Sequence, residues 1–242
     1  MLAQKDEIIV YDSCAKDSPI VFDKEKVIEV LNLKEKISYL NKPNVWYIVD
    51  GKIPVKVEAK TILVCSPKKD YYRNFDKYIG TTIRFMPVWS WNEIETCRNR
   101  MFNKLNKSYV KDLFLKWGGI PQFILEKAED VSQQILIEEA IVKSNARLLD
   151  FVGEIDHDED TIHKLIHIHT NLPGEENEEY TEIHYVKKFI LFASEYVATS
   201  VIAKLEKNYR RQLRNFVLSS SSESEYSTLQ SNIFEQIAHQ IL

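Results

Sequence analysis

The stretch VWYIVDGKIPVKVEAKTILVCS, residues 45–66, decides the fold expected for this chain. It holds two apolar runs, and each is followed by turn-forming residues, Asp-Gly after the first and Ser-Pro after the second. Continuous apolar runs of this length between turn residues are typical of buried strands in parallel sheets. The pattern therefore predicts two adjacent parallel strands, at 45–49 and 62–65, that are buried on both faces.

A polar side chain stands at the end of each predicted strand. Asp50 ends the first strand and Ser66 ends the second. Open α/β sheets bind ligands at the carboxyl ends of their strands, and a strand-end aspartate holds Mg²⁺ in nucleotide-hydrolysing enzymes. An Asp-Gly pair also begins ordinary turns. The residues alone leave both interpretations open.

The following segment, 67–84, mixes basic and aromatic residues. Such mixing suits the stacking of bases and the pairing of phosphates. The spacing of Tyr72, Phe75 and Ile79 instead favours an amphipathic helix packed on a core, which is the commoner cause of such a stripe. Arg84 is a candidate for reaching a nucleotide from the sheet edge. The segment's cations are Lys68, Lys69, Arg73, Lys77 and Arg84.

Two short motifs follow, FMPVWSWNEI at 85–94 and WGGIP at 117–121. Ser90 and Glu93 have the spacing of a capping box, which predicts the start of a helix. Gly118 and Gly119 are expected to end the next helix. The sequence predicts that the first motif lies where the sheet meets a helical lid, with Trp89 buried.

Together, YIVDG, CSP, MPVW with the acidic Glu93 after it, and GGIP resemble the NTPase module of Crinkler effectors and retrotransposon hot spot proteins. The resemblance covers roughly residues 40–242. It implies an ATP-binding P-loop NTPase of the AAA/STAND type, followed by a nuclease-like region. In that comparison Asp50 matches the Walker B acid and Ser66 the tip of the sensor-1 strand. Glu235, on the last predicted helix, matches a nuclease-like acid.

The chain also departs from the family pattern. It has no GxxxxGK[ST] phosphate loop, and the family's ubiquitin-like N-terminal region is missing. Gly51 stands where a water-orienting glutamate is common, and Gln122 follows GGIP where arginine is usual. The sequence looks like a family member without its N-terminal third and most of its nuclease. ATP and Mg²⁺ are expected as cofactors only if a phosphate loop is supplied.

These features predict a Crinkler-type fragment or pseudo-NTPase, inactive as an enzyme, which acts by binding a protein partner or nucleic acid. One alternative is an ATP-hydrolysing NTPase half whose phosphate loop lies upstream. A metal-dependent hydrolase is the other, since EIDHDEDTIHKLIHIHTN at 154–171 is rich in metal-ligand residues. His163 and His167 would share a helix face. The favoured interpretation makes 163–170 a strand, with His163, His167 and His169 on one face and no metal.

Other segments give simpler patterns. Strands are predicted at 7–11, 20–22, 181–186 and 188–193, and a helix at 23–40. A long amphipathic helix at 194–218 carries the densest basic cluster. A solvated face is the commoner explanation for such a cluster, and nucleic-acid contact is the alternative. The cluster comprises Lys207, Arg210, Arg211 and Arg214.

The expected fold class is α/β, with the partial parallel sheet of the back half of a P-loop NTPase, then a helical lid and a small α+β region. The expected divisions are 1–95 for the sheet region, 96–150 for the lid, 151–218 for the α+β region, and 219–242 for a Ser-rich linker and terminal helix. With 242 residues, a formal net charge of −4 and 44% hydrophobic residues, the composition fits a soluble protein. No apolar run is long enough to cross a membrane, and no signal peptide is evident. The family resemblance implies secretion and a host-cell or nuclear location.

Overall fold

The computed structural model describes residues 7–66, 69–150, 160–174, 183–218 and 224–241. The chain divides into two compact units, Met1–Thr82 and Ile83–Leu242. The division predicted at 95/96 falls inside a helix of the second unit, Trp91–Met101. The fold is mixed α/β, in agreement with the class expected from the sequence.

The first unit is built on a five-stranded mixed sheet with the order β3-β2-β1-β4-β5. The central strand β1 pairs antiparallel with β2 and parallel with β4, and β4 pairs parallel with β5. The chain therefore enters the sheet through an antiparallel meander and then adds two parallel strands. The strands are β1 (Ile8–Ser13), β2 (Ile20–Phe22), β3 (Val27–Glu29), β4 (Val45–Asp50) and β5 (Lys60–Val64).

The core of this unit lies on one face of the sheet. Alternate residues of β4 are buried, as the two-residue period of a strand requires. They pack with Leu40, the last residue of helix α1 (Leu33–Leu40). On β5 every second residue is exposed, including Ile62 and Val64. The expected burial on both faces is therefore wrong for β5, because it is the edge strand of a sheet whose core lies on one face.

The parallel pairing of β4 and β5 was predicted and is confirmed, with Asp50 opposite Val64. The connection at 51–59 contains no helix. An extended chain covers about 3.3 Å per residue, so this length is enough to return past a five-residue strand. Parallel strands commonly need a dozen or more residues and a helix between them, so this link is unusually short.

Two helix predictions in this unit are wrong. The segment 23–40 contains β3 before α1, because the β-branched run at 27–30 pairs with β2 and Asn32 caps the helix only afterwards. In the described part of the second segment, residues 69–84, there is only a short helix, α2 (Lys69–Tyr72), followed by turns, and residues 67–68 lie outside the described residues. The side chain of Ile79 is fully exposed and does not face a core.

The second unit is mainly helical. Its first helix begins at the predicted capping box, where Ser90 and Glu93 exchange both hydrogen bonds. Asn106 caps the next helix. The helices are α3 (Trp91–Met101), α4 (Lys107–Trp117), a π-helical turn (Gln122–Glu126), α5 (Val131–Gln134), α6 (Leu136–Lys143), α7 (Arg147–Asp150), α8 (Asp160–Leu165), α9 (Glu195–Leu218) and α10 (Ser224–Ile241).

Strands β6 (Ile166–His169) and β7 (Phe189–Phe192) form an antiparallel pair in this unit. The strand predicted at 163–170 is only half right, because α8 runs through Leu165 and the chain turns extended at Ile166. The strand predicted at 181–186 is wrong for 183–186, which form turns, while 181 and 182 lie outside the described residues. The segment 188–193 contains β7, as predicted.

The two glycines of WGGIP allow close packing of backbones. Gly118 ends α4 with φ +70°, and a Cβ there would lie 2.1 Å from the carbonyl oxygen of Ala193. At Gly119 a Cβ would lie 2.0 Å from the carbonyl oxygen of Trp89, whose own N–H donates to the Gly119 carbonyl. Trp89 is half-buried against the unit's core, not fully buried as predicted. The motif is thus a packing element in which no larger residue fits.

The C-terminal helices differ from the sequence expectation in two ways. Helix α9 starts after Ser194, whose hydroxyl accepts the Val197 N–H, and it kinks at Tyr209. Helix α10 begins at Ser224, inside the segment predicted to be a linker. Residues 219–223, the start of that segment, lie outside the described residues.

Candidate functional site

The carboxyl end of β4 places Asp50 where the sequence predicted it. One of its carboxylate oxygens accepts hydrogen bonds from the Tyr11 hydroxyl at 2.9 Å and from the Ser13 hydroxyl at 3.2 Å. All three side chains lie on one face of the sheet, because Ser13 is directly opposite Asp50 in the β1–β4 register. The carboxylate is half-buried and oriented by β1.

Ser66 comes two residues after the end of β5, and β5 ends opposite Asp50. The two strand ends therefore lie at the same sheet edge, as predicted. Ser66 itself is exposed. Arg84 belongs to the second unit, where its guanidinium donates to the adjacent Ile83 carbonyl. Whether Arg84 reaches the site of Asp50 stays a prediction.

Gly51 has a structural reason to be glycine. Its φ is +68°, in the left-handed region that other residues adopt only at a cost. A Cβ at this position would lie 2.6 Å from the Cys14 sulfur. A glutamate that orients water could therefore not stand here without a shift of the neighbouring turn.

The sequence analysis missed a second acid, Asp12, at the end of β1. Its side chain points into the core, on the opposite face from Asp50, and only 2% of the residue is exposed. One oxygen accepts from Lys36 at 2.6 Å and from the Tyr47 hydroxyl at 3.0 Å, and the other pairs with Lys52 at 2.5 Å. The signal was present in IIVYDS, which repeats the pattern of an apolar run ending in an acid.

The charges around Asp12 determine its protonation. Burial acts to raise the pKa of Asp12, but hydrogen bonds from Lys36, Lys52 and Tyr47 outweigh it, so the pKa is lowered. Burial, and then the Asp12 charge, raise the pKa of Tyr47 well above its usual range. This cluster is a charged carboxylate held between two lysines inside the core. Its hydrogen bonds are satisfied, which is the arrangement of a structural ion cluster.

A magnesium ion bound with a nucleotide would find one suitable ligand here. Mg²⁺ is commonly held by one or two carboxylates together with phosphates and water, and Asp50 can supply one such oxygen. Asp12 cannot add a second, because it faces the core and both of its oxygens are paired. Within the described parts of the chain, no group of three or more His, Cys, Asp or Glu residues is arranged to hold a metal.

Among the described residues, His163, His167 and His169 are not arranged as a metal-binding group, and residues 154–159 of the histidine-rich stretch lie outside the described residues. His163 lies on α8, while His167 and His169 lie on β6. Burial, with a smaller effect of the two other histidines, lowers the pKa of His167 to about 4. Its Nδ1 has no hydrogen-bond partner. His167 is therefore a neutral core residue, and its Cε1 would lie 3.1 Å from a Cβ at position 118.

The remaining sequence candidates are surface residues of the second unit. Glu235 is exposed on α10. The basic cluster of α9 is exposed as well, and Arg210 forms an i,i+4 ion pair with Glu206. The kink at Tyr209 lies inside this cluster, so its cations do not form one straight stripe.

A further feature of the first unit is an open groove beside β5, with a volume of about 430 Å³. It is lined by aliphatic residues of the β4–β5 connection, by Phe75 and Tyr78 from the turns after α2, and by two lysines. The sequence analysis favoured a core position for Phe75. Instead, its ring forms part of an open surface.

Comparisons of the chain with protein-family models, with curated proteins and with solved structures give no match. No helix in the described ranges is long and apolar enough to cross a lipid bilayer. Function must therefore be argued from the geometry of the sites and from the motif resemblance.

Proposed function

We propose that this chain is a Crinkler-type, NTPase-like protein that binds partners and does not hydrolyse nucleotide. The proposal rests on the geometry at the end of β4. Asp50 stands beside the parallel strand β5, which is the place of a Walker B acid, but the glycine after it leaves no carboxylate to orient water. In this proposal Asp50 takes the position of an NTPase acid and lacks the neighbouring residue that would orient water.

Three physical points favour binding over turnover. The sequence has no phosphate loop, so it lacks the backbone amides and lysine that bind phosphates in P-loop enzymes. Lys36 and Lys52 lie near the strand ends, yet both are engaged with the buried Asp12. The hydroxyls of Tyr11 and Ser13 already occupy one oxygen of Asp50. Among the described residues, these two lysines near the oriented carboxylate are therefore committed to Asp12.

In this proposal the protein acts as an effector-like molecule, and the resemblance implies secretion and action in a host cell or its nucleus. Its contacts would be with a protein partner or nucleic acid. Glu235 would be a remnant of the nuclease-like region and not a catalytic group. ATP and Mg²⁺ would bind only if another segment supplied a phosphate loop.

The test is steady-state phosphate release from Mg-ATP by the full chain, beside Asp50→Ala and a buffer blank. The proposal expects equal rates of phosphate release from the wild type, Asp50→Ala and the buffer blank. Magnesium-dependent turnover that disappears in Asp50→Ala would overturn it. A turnover that persists in Asp50→Ala would indicate a contaminating enzyme, and removing it by further purification restores the comparison.

A second candidate is an ATP-hydrolysing NTPase half whose phosphate loop lies outside this sequence. The parallel, adjacent pairing of β4 and β5 favours it, because this pairing brings Asp50 and the strand before Ser66 to one edge. A GxxxxGK[ST] motif encoded in frame upstream of Met1 would support this candidate. A longer chain that contains that motif should then hydrolyse ATP and lose the activity in Asp50→Ala.

A further inference from the structure

The groove beside β5 combines apolar surface, aromatic rings and positive charge. The β4–β5 connection supplies an apolar wall, and the turns after α2 supply the aromatic side. Lysines from both segments lie at the groove. The residues that matter here are Val55, Val57, Phe75, Tyr78, Lys56 and Lys77. All belong to the first unit.

The aromatic rings of the groove remain accessible. Phe75 and Tyr78 pack edge to face, with ring centroids 5.7 Å apart and planes at 76°. Tyr78 is 38% exposed, and the neighbouring Ile79 is fully exposed. An edge-to-face pair covers one face of one ring, and Lys56 lies over the Tyr78 ring, so part of the ring surface is left to stack with a flat ligand.

The charge of the groove has one sign. The Lys56 ammonium lies 5.4 Å from the centre of the Tyr78 ring. Among the described residues neither Lys56 nor Lys77 forms an ion pair, and no acid lines the groove. The neighbouring acids in sequence, Glu58 and Asp76, are exposed outside the lining. The groove therefore complements a ligand that carries negative charge.

We propose that this groove binds single-stranded nucleic acid, with bases on the Phe75–Tyr78 pair and phosphates on Lys56 and Lys77. The proposal deepens the binding function proposed above by naming the partner class and the surface. Ring faces bind bases of any identity, and lysines track the backbone, so sequence preference should be weak. A duplex would not fit this scheme, because its base faces are covered by stacking.

Nucleic acid fits better than the other anionic partner, an acidic peptide. A peptide carboxylate would use the lysines but would leave the aromatic faces without a partner. A nucleotide uses both features, because its base can stack on a ring face while its phosphate pairs with a lysine. The volume of about 430 Å³ lies within the usual range of small-ligand sites, about 300–1,000 Å³.

The experiment is fluorescence anisotropy of a labelled dT12 oligonucleotide with the full chain at several salt concentrations. Removing a stacking contact by alanine substitution typically weakens binding about 5- to 160-fold per base, and we expect a weakening in this range for Tyr78→Ala. The pair Lys56→Ala with Lys77→Ala should reduce the slope of log affinity against log salt by about 1.4, at about 0.7 for each phosphate contact. Lys16→Ala, an exposed lysine of the same unit, is the matched control and should leave affinity and slope unchanged.

Three results would overturn the proposal. The first is that the chain does not bind dT12 at low salt although its circular dichroism shows that it is folded. The second is binding that is lost in Arg211→Ala with Arg214→Ala and retained in the groove variants, which would place the contact on α9. The third is equal competition by polyglutamate together with no effect of Tyr78→Ala, which would indicate an acidic peptide. The ATP assay is independent of all three, so each proposal can fail alone.

Discussion

Replacing Asp12 by asparagine tests the charge cluster inside the sheet unit. The substitution keeps the shape and the acceptor for Tyr47 but removes the negative charge between Lys36 and Lys52. Removing one partner of a buried ion pair typically costs about 3–5 kcal/mol. The lysine side chains are 16% and 31% exposed and can turn partly to water, so we expect a loss of about 3 kcal/mol, at the lower end.

The assay is amide hydrogen exchange of β1 and β4, followed by mass spectrometry, because exchange of core amides reports the free energy of opening. Asp17→Asn, an exposed acid in the same unit, is the control and should change stability by no more than about 0.5 kcal/mol. In a Lys36→Met background, Asp12→Asn should lower the free energy of unfolding by less, because only the Lys52 charge is then left without its partner. If Asp12→Asn behaves like Asp17→Asn, the cluster does not stabilise the unit and the reasoning is refuted.

The same cluster predicts a pH dependence. The pKa of Asp12 is lower in the folded state than in the unfolded chain, so its stabilising effect is complete above about pH 4. The effect is lost as the pH falls further and the folded carboxylate takes up a proton. Protection of β1 and β4 should therefore drop in this acid range in the wild type. The drop should be smaller in Asp12→Asn, and an identical profile in both proteins would contradict the account.

Three further predictions concern the helical unit, each checked by thermal or urea unfolding. Gly119→Ala should lower the free energy of unfolding by about 3 kcal/mol or more, because the new Cβ would lie 2.0 Å from a carbonyl oxygen. Gly174→Ala, where the Cβ would meet open space, should lower it by only about 1 kcal/mol. His167 has a pKa of about 4 in the folded protein and near 6.5 in the unfolded chain. The free energy of unfolding of the wild type should therefore fall by about 3 kcal/mol as the pH falls from 6.5 to 4, and this fall should be smaller in His167→Leu. Gln134→Leu should lower the free energy of unfolding by about 3 kcal/mol, because it leaves the buried Trp117 indole N–H without its acceptor and removes the amide donor to the carbonyls of Phe123 and Lys127, of which Lys127 keeps the Asp130 N–H; a change below about 1 kcal/mol would contradict this.

Features set by local pattern were predictable from the sequence. The apolar run ending at Asp50 predicted β4, and the spacing of Ser90 and Glu93 predicted the start of α3. These signals depend on residues close in sequence, where strand composition and capping chemistry decide the structure. The parallel pairing of β4 and β5 also followed, with the family resemblance as its guide.

Features set by tertiary contacts were not predictable in the same way. The run at 27–30 became a strand because β2 was available to pair with it. The ion cluster of Asp12 joins residues that lie up to 40 positions apart, and no local spacing shows them together. Phe75 and Ile79 have helical spacing but lie in turns, so the stripe that suggested a core instead forms part of an open surface.

The most direct test of the central claim is a single-turnover measurement with the full chain in excess over γ-labelled Mg-ATP. Excess protein reveals even very slow hydrolysis, because every bound nucleotide reports on the site at Asp50. The account predicts phosphate release at the rate of the buffer blank in both the wild type and Asp50→Ala. Release that is faster than the blank, requires magnesium and vanishes in Asp50→Ala would contradict it.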